Sequence, residues 1–404
     1  MAYAPLPLDL IELGQILPVD VWAANGLLLL RRGQTIASEH HKDMLRARHA
    51  GITFIDAEAW QKSYDRMING LLEDGVPVET LAKACMPSEI LETDYRVGRE
   101  VHGGWLDLQD ILLGLLYQGA DAIHPLARLE GIERRALELL RKDPEECLFI
   151  LFQALTDLTL GYSATHALLA AVVCELTTAK LGMDPQARRV LFRAALTMNI
   201  GMARAQGTLA RQSEAPSDDQ RKLIKDHPPM GYEILQGFGI QDEDQLDIVH
   251  WHHDQDESNG LARNLSTRRI LRMADSFVAK LAPRKTRLAM SPLGAVKALL
   301  AGAAEDTEKF GSAMATAVGF YPPGTYVQLA NGEQAVVIAR GLRANHAHVA
   351  SIVNPAGVPL NRYNYRDTSD PQFAIRAPLN AEKIKVRVSM EKIAKVRATL
   401  GNDA

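Results

Sequence analysis

Cysteine and aromatic residues are scarce in this chain of 404 residues, which has three cysteines, four tryptophans and 6% aromatics in all. Cys85, Cys147 and Cys174 are far apart and form no CxxC, which excludes a cysteine zinc clip and a disulfide framework. A reducing, cytoplasmic setting is expected. No charge of one sign dominates, and a formal net charge of -4 excludes a global pull toward nucleic acid or anionic membrane. The best apolar run, residues 167–174, is far below the roughly 18 residues of a membrane helix. The opening MAYAPLPLDL has neither the basic start nor the apolar core of a secretory signal. Low-complexity tracts and internal repeats are also missing, which excludes fibres and solenoids. What is there is an ordinary globular balance, 47% hydrophobic and 23% charged, with length for two or three domains. A soluble protein that does not span a membrane is expected.

Periodicity divides the chain into four parts. Residues 1–56 read as a small α/β unit: Asn25-Gly26 is a turn between two apolar runs, Ser38 caps a helix, and GITFID reads as a strand. Residues 57–130 form a helical connecting region, broken at Pro77, Pro87 and Gly103-Gly104. Residues 131–311 are nearly all helix, with apolar residues at three- and four-residue steps and a capping box at Ser217 and Gln220. In residues 312–404 the period becomes two: TYVQLANGEQAVVIA is a hairpin about Asn331-Gly332, and HVASIV and IKVRVSM read as further strands. The apolar stripe of residues 106–117, LDLQDILLGLLY, predicts a face that packs on a second copy in a homodimer or on the chain's own helices.

Any chemistry should lie in the helical part. It carries His166 on an apolar helix, His227 before a proline, His252-His253 in WHHD, and Asp275 within apolar RILRMADSF. Neutral imidazole is the commonest metal ligand, and a carboxylate among apolar neighbours is costly unless paired or coordinated. Each residue taken alone also fits an ordinary hydrogen-bonded or surface role.

Their order supplies a resemblance. YSATHALLAAVV, MNIGM, DHPPMGYEIL, WHHDQDESNGLA and RILRMADSFVAKLAPRKTR follow one another as the motifs of HD-GYP phosphohydrolases do, and YPPGTYVQLANGEQAVV resembles the β tail that often follows them. The resemblance covers about residues 145–340. It implies a mainly α fold, an HD-superfamily helical bundle flanked by a small N-terminal α/β unit and a C-terminal β tail. It also implies cyclic di-GMP as the substrate class and a centre of two or three metals. The ligand positions would be His166, Met198, Asn199, His227, His252, His253 and Asp275, with Arg284 and Arg287 at the phosphate contacts.

The departures matter as much as the matches. Met198 and Asn199 stand where the family has its His-Asp pair: a thioether suits hard divalent cations poorly, and a neutral amide cannot bridge two of them. Met202 replaces a lysine, and the loop from Glu257 to Ala262 replaces the Gly-Tyr-Pro segment. No catalytic residue is therefore assigned, and no cofactor is expected beyond a weak or partial iron or manganese ion at the vestigial His166, His227, His252, His253 and Asp275. Ligand binding is assigned to Arg284 and Arg287, in residues 261–287 with eight bases and one acid, facing residues 214–257 with twelve acids and three bases. Both stretches also read as solvated helix faces. The expected function is a catalytically impaired signalling protein that binds cyclic di-GMP, a related dinucleotide or a signalling-protein partner. The alternatives are a residual phosphodiesterase and a purely structural scaffold of the related HDOD type.

Overall fold

The computed structural model describes residues 3–81, 83–90, 103–254, 258–285, 289–301, 305–384 and 386–400. The chain divides into two compact units, Met1–Val101 and His102–Ala404.

In the first unit, β1 (Ala4–Pro5), β2 (Val21–Trp22), β3 (Leu28–Leu30) and β4 (Gly51–Ile52) form an antiparallel sheet in the order β1-β4-β2-β3. The Asn25-Gly26 turn joins β2 to β3, with Gly26 at φ +83. Helix α1 (Glu39–Ala47) is capped by Ser38, whose side chain accepts from the His41 N–H. GITFID is a strand only at Gly51–Ile52, because Thr53 caps the next helix by accepting from the Asp56 N–H. That helix, α2 (Phe54–Glu73), is followed by the short α3 (Val78–Leu81). Trp60 is fully buried, and its indole donates to the Pro87 carbonyl within the same unit. The stretch read as one connecting region, 57–130, is thus divided between the two units.

The second unit opens with α4 (Trp105–Gln118), α5 (Pro125–Lys142) and α6 (Pro144–Thr156). Leu108, Leu112, Leu113, Leu115, Leu116 and Tyr117 of α4 are buried within the chain itself, while Leu106 at the start of the stripe is exposed. Helix α7 (Tyr162–Lys180) is buried on nearly every side, and α4, α6, α8 (Pro185–Thr197), α9 (Ala203–Arg211), α12 (Leu265–Leu281) and α14 (Glu305–Val318) pack on it. Helices α10 (Asp218–Gly237), α11 (Glu243–Trp251) and α13 (Pro292–Leu300) complete the bundle. The Ser217–Gln220 capping box starts α10 as its sequence predicts.

The tail is an antiparallel sheet ordered β8-β7-β6-β5-β9, built from β5 (Tyr326–Leu329), β6 (Gln334–Arg340), β7 (Ala347–Val353), β8 (Pro359–Asp367) and β9 (Ile375–Leu379). The Asn331-Gly332 hairpin and the HVASIV strand are where the sequence puts them. IKVRVSM is not: among its described residues there is no strand, and Met390 begins the closing helix α15 (Met390–Leu400). Phe149 of α6 is buried in the sheet's core, Arg340 donates to Glu145 at 2.8 Å, and Arg397 to Asp143 at 2.7 Å. Tail and bundle therefore share a wall. Among the described residues no helix is long and apolar enough to cross a membrane, and no cysteine forms a disulfide.

Candidate functional site

Sequence chemistry fixes the orientation of two histidines. Pro228 has no N–H to give the Ile224 carbonyl four residues back, so that carbonyl is free to accept from a side chain. It accepts from His227, whose Nδ1 lies 2.7 Å away. His252 follows the end of α11, where the last carbonyls lack helical donors, and its Nδ1 lies 2.7 Å from the Val249 oxygen. A carbonyl only accepts, so both rings carry their hydrogen on Nδ1 and present a bare Nε2. These two Nε2 atoms stand 3.4 Å apart. With His253 they form a group whose ligand nitrogens all lie within 4.8 Å of one another.

Burial lowers the pKa of His227 to about 4, although its bond to the Ile224 carbonyl opposes the shift. It also holds His252 well below the ordinary imidazole range, reinforced by His253 and His227 nearby. At neutral pH two lone pairs therefore face each other with no proton to share, an arrangement that a cation relieves. The backbone bonds at Nδ1 are those that orient metal-bound histidines. Three neutral nitrogens suit one divalent transition metal, of the kind imidazole prefers.

The other half of the site is built differently. His166 on α7 places Nε2 2.7 Å from Asp275 Oδ1 on α12, and its Nδ1 lies 3.2 Å from the Tyr162 hydroxyl. A carboxylate only accepts, so here Nε2 carries the hydrogen and has no lone pair to offer. Burial alone would raise the pKa of Asp275, yet the bond from His166 and the neighbouring imidazoles hold it well below the usual carboxylate range. His253 Nε2 lies 3.9 Å from Asp275 Oδ2 and ties the two halves together.

All five histidine and aspartate positions singled out in the sequence thus converge. Met198 and Asn199 sit at the end of α8, both buried. Neither Oδ1 nor Nδ2 of Asn199 has a hydrogen-bond partner among the described residues. The segment is pressed against α10, since a Cβ on Gly201 would stand 2.4 Å from the His227 carbonyl oxygen. No carboxylate is available at Asn199 to bridge two cations, so this donor set does not fit a bridged metal pair.

Arg284 is half-buried just after α12, and its Nε finds no partner among the described residues. Arg287, Glu257 and the end of the WHHDQDE stretch lie outside the described residues. Sequence reasoning missed Tyr162 and Arg272. The first is four residues before His166 and bonds it. The second is three residues before Asp275, and its charge helps lower the pKa of His253 after burial, against the opposing pull of Asp275. The helical spacing of each was the available signal. It also missed how the loop after the histidines is held: Asp247 accepts from the Leu261 N–H at 2.7 Å and from Asn264 at 2.9 Å. Gly260 at φ +70 fits there because a Cβ would meet Asp247 at 2.4 Å and Arg268 at 2.7 Å.

Comparison with curated proteins returns no match. An HDG"Y"P protein from Bdellovibrio bacteriovorus is similar over 77% of this chain and 99% of its own, with 14% identity and a TM-score of 0.40. The family described as "HD domain" matches residues 152–308, the stretch that holds every one of the converging side chains. Residues 152–308 therefore match an HD domain, and the order of the His-Pro, His-His and Asp motifs within them resembles that of HD-GYP proteins.

Proposed function

We propose that this chain is a catalytically impaired HD-GYP-like protein of cytoplasmic cyclic di-GMP signalling, which binds a cyclic dinucleotide or a protein partner without hydrolysing it. The observation that carries this reading is the split ligand set. His166 and Asp275 are joined to each other, His227, His252 and His253 converge as a second group that meets Asp275 only at 3.9 Å, and the position matching the bridging aspartate of HD-GYP enzymes holds a neutral amide. Hydrolysis by the two-metal route needs cations held together to clamp the phosphate and activate water. A lone three-histidine group leaves the clamp without its second cation.

Ligand capture in the cleft is proposed to use Arg284 and Arg287, which offer planar donors to phosphate. Calorimetry with cyclic di-GMP, paired with chromatography of the same sample plus manganese, tests the reading. Binding without linear dinucleotide or GMP is expected, and the double change Arg284→Ala and Arg287→Ala should weaken it at least tenfold, since a charged hydrogen bond contributes about 1.5–3 kcal/mol. Steady formation of either product would overturn the proposal.

A second reading has its own observation. Three neutral histidines with converging nitrogens resemble catalytic sites that hold one metal and leave a position open for water. This residual metal-dependent phosphodiesterase would be slow, and the same chromatography distinguishes it.

A further inference from the structure

The tail contains a groove that the helical cleft does not share. It runs between β8 and α15, with a volume of 630 Å³, whereas two other cavities of this unit hold 220 and 60 Å³. Sites for small ligands span about 300–1,000 Å³, so this groove alone of the three has room for a nucleotide.

Its walls carry four cations and one acid. Arg362 on β8 is exposed and makes no hydrogen bond or ion pair among the described residues. Lys392 on α15 is held with its ammonium 5.2 Å over the Tyr363 ring, a cation–π contact that orients it without a hydrogen-bonded carboxylate. Tyr363 is itself anchored, because its hydroxyl accepts from the Ser389 N–H ahead of α15. Lys395 pairs with Glu391, but both side chains are more than 70% exposed, and such a pair contributes little and yields readily to a phosphate. Arg366 is engaged by Glu333 at 3.0 Å and serves as a wall. Arg362 and Lys392 thus both line the groove, one from a strand and one from a helix.

The remaining lining suits a heterocycle. Asn361 and Asn364 supply amides that both donate and accept, the pattern needed to meet a base edge. Tyr365 is held by the bond between its hydroxyl and His348 Nδ1 at 2.8 Å. β8 is the end strand of the sheet, so along the groove its outer edge pairs with no other strand among the described residues.

We propose that this groove is a second, metal-free nucleotide site, in which Arg362 and Lys392 receive the phosphates of a phosphodiester and the asparagines meet its base. It stands apart from the reading of the cleft, since no lining residue belongs to that cleft.

The test uses the full chain and two probes, cyclic di-GMP and fluorescent single-stranded oligothymidylate, titrated at low salt. Arg362→Glu, at an exposed position, and Arg362→Ala with Lys392→Ala should each weaken oligothymidylate binding, and cyclic di-GMP binding in a chain that also carries Arg284→Ala and Arg287→Ala, at least tenfold, while Lys297→Ala, at an exposed position outside the groove, leaves both intact. Preference for cyclic di-GMP identifies a small-molecule site, and preference for the oligothymidylate identifies a strand site. Unchanged affinity in Arg362→Glu, an equal loss in Lys297→Ala, or failure of the unaltered protein to bind either probe would overturn the proposal.

Discussion

The two halves of the cleft use the same side chain in opposite ways. His227 and His252 give their Nδ1 hydrogens to backbone carbonyls and turn bare Nε2 atoms toward each other, 3.4 Å apart. His166 gives its Nε2 hydrogen to Asp275 at 2.7 Å and keeps no lone pair on that atom. A histidine in a metal-site position is thus a ligand or a structural donor according to what its other nitrogen meets. In the first half that is set by a proline and a helix end. In the second it is set by a carboxylate with no cation required beside it. The three-histidine half is poised for a cation, and the His166–Asp275 half is complete without one.

The largest expected effect breaks the completed half. Asp275→Ala leaves the buried His166 ring without its partner, and removing one member of such a pair costs about 3–5 kcal/mol. Chemical denaturation should show that loss with metal chelated. An effect below about 1 kcal/mol would mean that the pair contributes nothing to holding α7 against α12.

A second test sharpens the comparison through pH. The folded-state pKa of His227 is about 4, below the ordinary 6.5, with burial as the main cause. Between those values the unfolded chain takes up protons that the folded chain refuses, so stability falls as pH drops from about 6.5 toward 4. The shift corresponds to at most about 3 kcal/mol from His227, and His252 acts in the same direction. Asp275, with its depressed pKa, loses its contribution only below the ordinary carboxylate range. Denaturation midpoints of chelated protein should therefore be flat above pH 7 and decline below 6.5. In His227→Gln the decline should be shallower, and an unchanged slope would contradict the assignment.

A smaller effect separates the halves by affinity. His252→Ala should weaken binding of a single zinc or manganese ion by about a hundredfold or more, about 2.7 kcal/mol, while His166→Asn changes it less than threefold. Competition with a chromogenic chelator reads both. Equal losses would show that the halves act as one centre.

Much of this was legible in the sequence, because the decisive signals are local. Asn25-Gly26, Ser38, Ser217–Gln220 and Asn331-Gly332 each set a turn or cap through their own chemistry, and the structure has them where expected. The five site residues were legible through their order. The failures are at long range or at boundaries. GITFID is cut short because Thr53 is a better cap than strand residue, and IKVRVSM alternates like a strand yet lies ahead of α15. β8 was missed because PLNRYNYRD is polar on a half-exposed edge, and β9 because it contains a proline. The bond between His166 and Asp275, 109 residues apart in sequence, could not be read from spacing. Nor could the fate of the α4 stripe, since periodicity names an apolar face without naming what covers it.

The central claim is that the cleft has one cation-ready half and one closed half. Elemental analysis of the purified protein, after equilibration with excess iron, manganese or zinc and removal of the unbound ion, tests it most directly. The account predicts no more than one metal ion per chain, lost in His252→Ala and kept in His166→Asn. Two or more ions per chain in the unaltered protein would contradict it.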